Sequence, residues 1–176
     1  DRQVAELQTS LGEICIELLD GEDEAPGHVE NFIWYVDNGD IIDTFFHRLV
    51  DGFVVQGAAF RIEADDLDIV PARPAHVVVN EPCTVDPEAA GGPVCPERGN
   101  EAYTVALAKI GDRPDSGTTS WFINLADNRR NLDNQNGGFT VFGRITDPAS
   151  RAVVDTISAS ISSTIPTTPR TTYSRT

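Results

Sequence analysis

Short runs of β-prone residues, each too brief to stand alone, recur along most of this 176-residue chain. They fall at residues 4 to 9, 13 to 19, 44 to 49, 53 to 57, 76 to 79, 103 to 109, 120 to 124 and 139 to 145, with turn-rich segments between them. An isolated strand leaves its backbone groups unpaired, so such runs must meet in a common sheet. The first two read as a hairpin about Ser10, Leu11 and Gly12, with Ile14, Ile16 and Leu18 facing inward together. Only two segments keep helical spacing. Pro26 precedes Val29, Phe32, Ile33 and Val36 in a helix over about residues 27 to 38, which Gly39 ends in a left-handed cap. Asp147 and Pro148 open a second helix with Val153, Val154 and Ile157 on its apolar side. Strands outnumber helices by about eight to two. That ratio predicts a mainly β fold, a closed eight-stranded antiparallel β-barrel capped by two α-helices.

One ordinary domain is expected from this length, with a core of its own. No apolar run approaches a membrane span. The formal charge of −15 argues against nucleic acid as a partner, because the overall field repels phosphate. The acidic groups Asp20, Glu22, Asp23 and Glu24, and Asp65, Asp66 and Asp68, read as solvated charge on loops. The chain starts at Asp1 and contains no Met, which fits a mature or trimmed form. Cys83 and Cys95 flank a Pro- and Gly-rich stretch that would gain from a cross-link, whereas Cys15 sits in an apolar strand as a free thiol. A disulfide implies an oxidising compartment, so a periplasmic or secreted location is expected. His28, His47 and His76 have no ligand spacing to the cysteines. Asp133, Asn134, Gln135 and Asn136 lack the glutamate that closes a calcium loop. Gly137 and Gly138 read as a turn, with no P-loop lysine after them. No metal and no cofactor are expected.

The chemistry concentrates in Phe46, His47 and Arg48, followed by Gly52, Phe53, Val54, Val55, Gln56 and Gly57. On a period-two strand Phe46 and Arg48 share a face, and the glycines let a second strand turn in close. The product is an apolar pocket with a guanidinium at its rim. It suits a substrate that needs a hydrogen-bond donor and dry walls but no nucleophile. Taken alone, apolar residues at strand spacing, such as Phe53 and Phe122, are more often core than pocket. His47 points away from Arg48 and reads as structural.

The spelling FHRLVDGFVVQG resembles the cyclophilin family of peptidyl-prolyl isomerases, of bacterial type. DSGTTSWFINLADN at 115 to 128, GFTVFGRI at 138 to 145, NFIWYVDNG at 31 to 39, NE at 80 to 81 and TVALAK at 104 to 109 resemble that family's segments in the same order. The resemblance covers roughly residues 4 to 160 and implies the same capped barrel. It implies one cyclophilin-like domain over 1 to 160 and a Ser/Thr-rich tail over 161 to 176, in which no closing apolar strand is visible.

For function, the resemblance implies catalysed rotation about Xaa-Pro bonds of proline-containing peptides and unfolded protein clients. Arg48 is the implied transition-state donor and Gln56 holds the substrate carbonyl. Phe53, Phe122, Leu132 and Phe139 line the proline cup, and the backbone of Ala108 and Lys109 contacts the residue before proline. The chain departs from the family pattern at Val54, where Met is common, and at Ser120, where Gln is common. Both substitutions shorten side chains around the neighbouring subsite. Asn131 stands where many relatives carry Trp or Phe, so weak cyclosporin binding is expected, and Phe139 replaces a His or Tyr. A monomer is the expected state. Two other functions compete: a cyclophilin-like binding module or chaperone with little isomerase activity, and a barrel that encloses a small ligand.

Overall fold

We describe a computed structural model of the chain, covering residues 2–63, 66–73, 76–89, 95–163 and 170–175. Strands β1 (Val4–Thr9) and β2 (Gly12–Leu18) form the N-terminal hairpin, with Ile14, Ile16 and Leu18 fully inside. Helix α1 (Pro26–Asp37) follows, then β3 (Thr44–Phe45), β4 (Arg48–Val50), β5 (Val54–Gly57), β6 (Phe60–Glu63) and β7 (Asp66–Ile69). The second half holds β8 (Thr104–Leu107), β9 (Trp121–Asn124), the one-turn helix α2 (Arg129–Leu132), β10 (Val141–Arg144), α3 (Pro148–Ser163) and β11 (Arg170–Arg175). Gly39, at φ 72°, closes α1 as expected: its N–H reaches Val36 O while that of Asp40 reaches Tyr35 O. Asp147 caps α3 through a 2.8 Å bond from the Ser150 N–H, and Ser150 Oγ in turn accepts from the Cys15 N–H on β2.

The chain is mainly β, and its sheet departs from the expected barrel in three ways. Eleven strands are described instead of eight, in the order β4-β5-β9-β8-β10-β2-β1-β11-β3-β6-β7. Among the described residues no pairing joins β4 to β7, the two ends of this order, so the expected closure of the barrel is not shown. Three helices stand in place of two. The run at 76 to 79 forms no strand, although Val78 is buried between exposed Val77 and Val79.

The run at 44 to 49 breaks in two because β3 pairs with β11 and β6 while β4 pairs with β5. The change of partner also separates Phe46 from Arg48, which do not share a face. Phe46 joins the core against Trp121, with ring centroids 5.7 Å apart, and Arg48 is exposed. Strands β6 and β7 escaped the period-two reading because β7 is exposed throughout, with Leu67 and Ile69 at 67% and 68%. Asp66 and Asp68, expected on loops, lie on this edge strand, and Asp65 falls outside the described residues. Carboxylates on an edge discourage pairing with another chain.

The C-terminal segment, read from its Ser/Thr content as lacking a strand, contains β11. It lies antiparallel to β1, Ala5 opposite Arg175 and Thr9 opposite Thr171, and links β1 to β3. Its polar residues gave no apolar alternation, so only the backbone pairing marks it as a strand. The interior is filled by Leu7, Ile14, Ile16, Phe32, Tyr35, Val55, Trp121, Ile123, Phe142 and their neighbours, which removes the reading of a barrel around a small ligand.

Helix α1 shows how a distant residue completes local structure. Its N-cap is Ala25, which has no side-chain acceptor to offer. Glu81 supplies one from far along the chain: its carboxylate accepts from the N–H groups of Gly27 at 3.0 Å and His28 at 2.9 Å, and lies 2.6 Å from His28 Nδ1. Burial alone would raise the Glu81 carboxyl, but the His28 imidazole and the two helix N–H groups outweigh it, and the net displacement is downward. A depressed folded value gives stability that is complete above the unfolded carboxylate range and lost as pH falls through the folded value. Glu81→Gln is therefore expected to cost about 2 kcal/mol at pH 7, with the difference from wild type shrinking below about pH 4. Urea denaturation at both pH values checks this; an equal cost at both would contradict it.

Candidate active site

The pleat divides five neighbouring strands into two faces. Val55, Ile123 and Val105 lie opposite one another on β5, β9 and β8 and are completely buried in the main core. One residue along, the register sets Arg48 opposite Gln56, Gln56 opposite Phe122, Phe122 opposite Ala106 and Ala106 opposite Val141. This row crosses β4, β5, β9, β8 and β10 on the other face. A second, smaller apolar cluster forms there from Leu19, Val54, Ala106, Phe122, Leu132 and Val141, with Phe53, Ala108 and Phe139 packed against it.

Above the row opens a cavity of about 300 Å³, lined by Arg48, Phe53, Val54, Gln56, Ala108, Lys109, Phe122, Leu132, Gln135 and Phe139. Nine of these residues were singled out from the sequence. Phe53 enters from a tight turn closed by its N–H on Val50 O at 2.9 Å. Phe122 and Phe139 meet edge to face, their centroids 5.7 Å apart. The Phe139 N–H bonds to Leu132 O at 2.7 Å, which fixes two walls relative to each other. Val54 is buried beneath them.

Ser120 is not in the lining. It stands behind Gln56, accepting from Gln56 Nε2 at 2.9 Å and donating to Gly57 O at 2.9 Å. On its other side Gln56 Oε1 accepts from Arg48 Nη1 at 3.3 Å. The carboxamide is thus held between a guanidinium and a hydroxyl. The Ala108 N–H is engaged by Ser120 O at 2.9 Å. Lys109 Nζ donates to Asn136 O at 2.8 Å, Gly138 O at 2.7 Å and Asn80 Oδ1 at 3.2 Å, and lies 4.6 Å from the Phe139 ring centroid. Burial pushes this ammonium down to about 8, with Asp115 pulling the other way. His47 packs edge-on against Phe60, with centroids 4.9 Å apart, and burial lowers its imidazole.

Two features escaped the sequence. Gln135 lines the pocket while its Nε2 donates to Asn131 Oδ1 at 2.6 Å. Asn131 itself is exposed and outside the lining. Beneath the pocket runs a buried polar network. Asp133 accepts from the Cys95 N–H at 2.8 Å and from the backbone and side chain of Asn100 at 2.9 and 2.8 Å. Asn100 Nδ2 also reaches Phe139 O, while Asn124 donates to Asn100 Oδ1 and Asn128 joins Asn124 to Phe53 O. Such residues carry no local pattern, because apart from Asn124 and Asn128, four positions apart, their partners lie 24 to 75 positions away. Asp133 therefore anchors the pocket floor, and no cluster of metal-binding side chains occurs among the described residues. Cys95 pairs with Cys83 in a disulfide, Cα atoms 5.7 Å apart, which ties the same network to the loop before it; Cys15 is free.

Replacing Asp133 by Ala leaves three buried donors without an acceptor and is expected to cost about 3 kcal/mol. Chemical denaturation measures this; a loss below about 1 kcal/mol would show the network to be dispensable.

Residues 4–173 match the family described as cyclophilin type peptidyl-prolyl cis-trans isomerase/CLD, a span that extends past residue 160 into β11. The chain is 36% identical over 156 residues to the peptidyl-prolyl cis-trans isomerase cyp18 of Streptomyces antibioticus, covering 86% of this chain and 81% of that protein. Its fold resembles the crystal structure of a cyclophilin type peptidyl-prolyl cis-trans isomerase of Cryptosporidium parvum, with a TM-score of 0.70 at 17% identity over 100% of this chain and 98% of that one. A structure of that parasite protein in the presence of the dipeptide Ala-Pro gives a TM-score of 0.63 at 17% identity over 96% and 94% of the two chains. With its site face, its core face and its motifs in one register, the chain belongs to the cyclophilin-type peptidyl-prolyl cis-trans isomerase family.

Proposed function

We propose that the pocket binds the proline of Xaa-Pro segments and that Arg48 accelerates rotation about the preceding bond. The supporting observation is the row in which Arg48 and Gln56 stand beside Phe122 above a closed apolar floor. The partial double bond of the amide sets a barrier of about 20 kcal/mol, and no covalent bond need be cleaved to cross it. As the amide twists, the proline nitrogen pyramidalises and regains a lone pair. A donor aimed at that nitrogen stabilises the twisted state more than the planar one. A guanidinium presents its N–H donors in a rigid fork, so Arg48 can donate a hydrogen bond to that nitrogen without any proton transfer. Phe53, Phe122, Leu132 and Phe139 hold the ring, and Gln56, already linked to Arg48, holds the carbonyl on the other side. The Cys83–Cys95 disulfide supports work on exported clients in an oxidising compartment, periplasmic or secreted.

In a protease-coupled assay on an Ala-Pro peptide, Arg48→Ala is expected to lose a factor of about one hundred or more in kcat/KM. Full activity in the variant, or a wild-type rate equal to the uncatalysed one, would reject the mechanism.

One observation favours a binding module or chaperone instead: the Gln56 carboxamide is engaged on both sides, by Arg48 and by Ser120. Exchange spectroscopy on a bound proline peptide separates the two readings, since fast cis/trans exchange on the protein excludes simple holding. Asn131 faces solvent and bonds Gln135, and it presents no aromatic surface beside the pocket. Cyclosporin is accordingly expected to bind with a Kd of about 1 µM or weaker by calorimetry, and nanomolar inhibition would contradict this.

A further inference from the structure

The turn that delivers Phe139 to the pocket has a backbone of unusual shape. Asn136, Gly137 and Gly138 follow one another with φ of 51°, 72° and 77°. Glycine adopts such angles freely and asparagine less so, and this short 3-10 turn leaves its last carbonyls to be met from outside. They converge instead on two side chains from elsewhere. Lys109 Nζ takes the carbonyls of Asn136 and Gly138, and Asn80 Nδ2 takes those of Gly137 at 2.8 Å and Gly138 at 3.1 Å. The third Lys109 proton goes to Asn80 Oδ1, which also accepts from Thr140 Oγ1 at 3.0 Å. Asn136 Nδ2 returns a bond to Ile110 O at 3.1 Å, so the two segments are tied in both directions.

An ammonium carries three protons, and each of these has an acceptor within the protein. None is left over for a substrate. The same ammonium lies over the Phe139 ring, where the positive charge meets the negative face of the aromatic. A carbonyl cluster of this kind elsewhere holds a bound cation, and here the chain supplies the cation itself.

We infer that Lys109 is a positioning residue of the proline pocket, its ammonium fixing the Asn136–Gly138 turn and the Phe139 ring instead of touching the substrate. This inference rests on the reading of the cavity as a proline site. It gives the lysine a role that its backbone contacts alone would not. Any residue at this position has a backbone, but only a long cation reaches the carbonyls and the ring together. Arginine keeps the charge and length, whereas methionine keeps the length and removes the charge.

The test compares wild type, Lys109→Met and Lys109→Arg at pH 7, below the value of about 8 to which burial brings the ammonium, so that it is protonated. NMR of the free proteins reads the Phe139 ring signals, and peptide titration and isomerase kinetics follow on the same samples. Lys109→Met is expected to shift and broaden the Phe139 ring signals and to raise KM about tenfold with kcat within about twofold, and Lys109→Arg to restore most of both. Unchanged ring signals in a folded Lys109→Met protein would overturn the inference. So would a fall in kcat at constant KM, which would make the lysine a participant in the reaction. Should Lys109→Met fail to fold, Lys109→Arg decides: ring signals and KM near wild type support the role, and their loss overturns it. The ring signals are read without substrate, so an inactive wild type would end the isomerase reading and leave this test intact.

Discussion

The pleat of the sheet across β4, β5, β9, β8 and β10 is the constraint on which the site depends. Successive side chains on a strand point to opposite faces, and the register aligns them across neighbours. Val55, Ile123 and Val105 go into the core on one face, and Gln56, Phe122 and Ala106 form the site on the other. A slip of one residue on β9 would send Phe122 inward and Ile123 into the pocket. The fully buried face resists such a slip, because exchanging a filled core for a misfit costs several kcal/mol. The packing that stabilises the fold thus also fixes where Arg48 and Gln56 stand.

The walls above this row come from loops and short helices that have no sheet to hold them. Each is secured by a polar partner from a distant part of the chain. Asp133 and Asn100 support the Leu132 and Phe139 side, Asn128 reaches the Phe53 carbonyl, and Lys109 with Asn80 closes the turn before Phe139. These groups are largely buried and paired, and in low dielectric a paired polar group holds geometry that an apolar contact would leave free to slide. Glu81 does the same for α1, and the disulfide at Cys95 feeds into the Asp133 network. Rigid walls suit a reaction in which the substrate's own rotation is the chemical event.

Much of the site was legible in the sequence, because the residues that touch the pocket lie in short stretches with their own spelling and period. The hairpin of β1 and β2, the helices α1 and α3, and nine lining residues followed from those stretches. The errors have physical causes. Strands β7 and β11 are polar or exposed, so no apolar alternation announced them. Phe46 and Arg48 parted because the strand changes partners between them, and Ser120 moved behind Gln56 because its short side chain reaches Gly57 O. Gln135 and Asn100 follow no period at all.

By itself the sequence determined which residues are available to the site and the alternation that turns them to one face, since both depend on neighbours one or two positions away. Tertiary structure alone decided that the run at 44 to 49 divides between two sets of partners, that a polar C-terminal strand pairs with β1 and β3, and that Gln56 is held from both sides. It also turned Lys109 from a residue of the substrate path into a strap across the pocket wall. Most of those outcomes rest on hydrogen bonds between segments tens of residues apart, and the partner of such a bond is known only once the chain has folded.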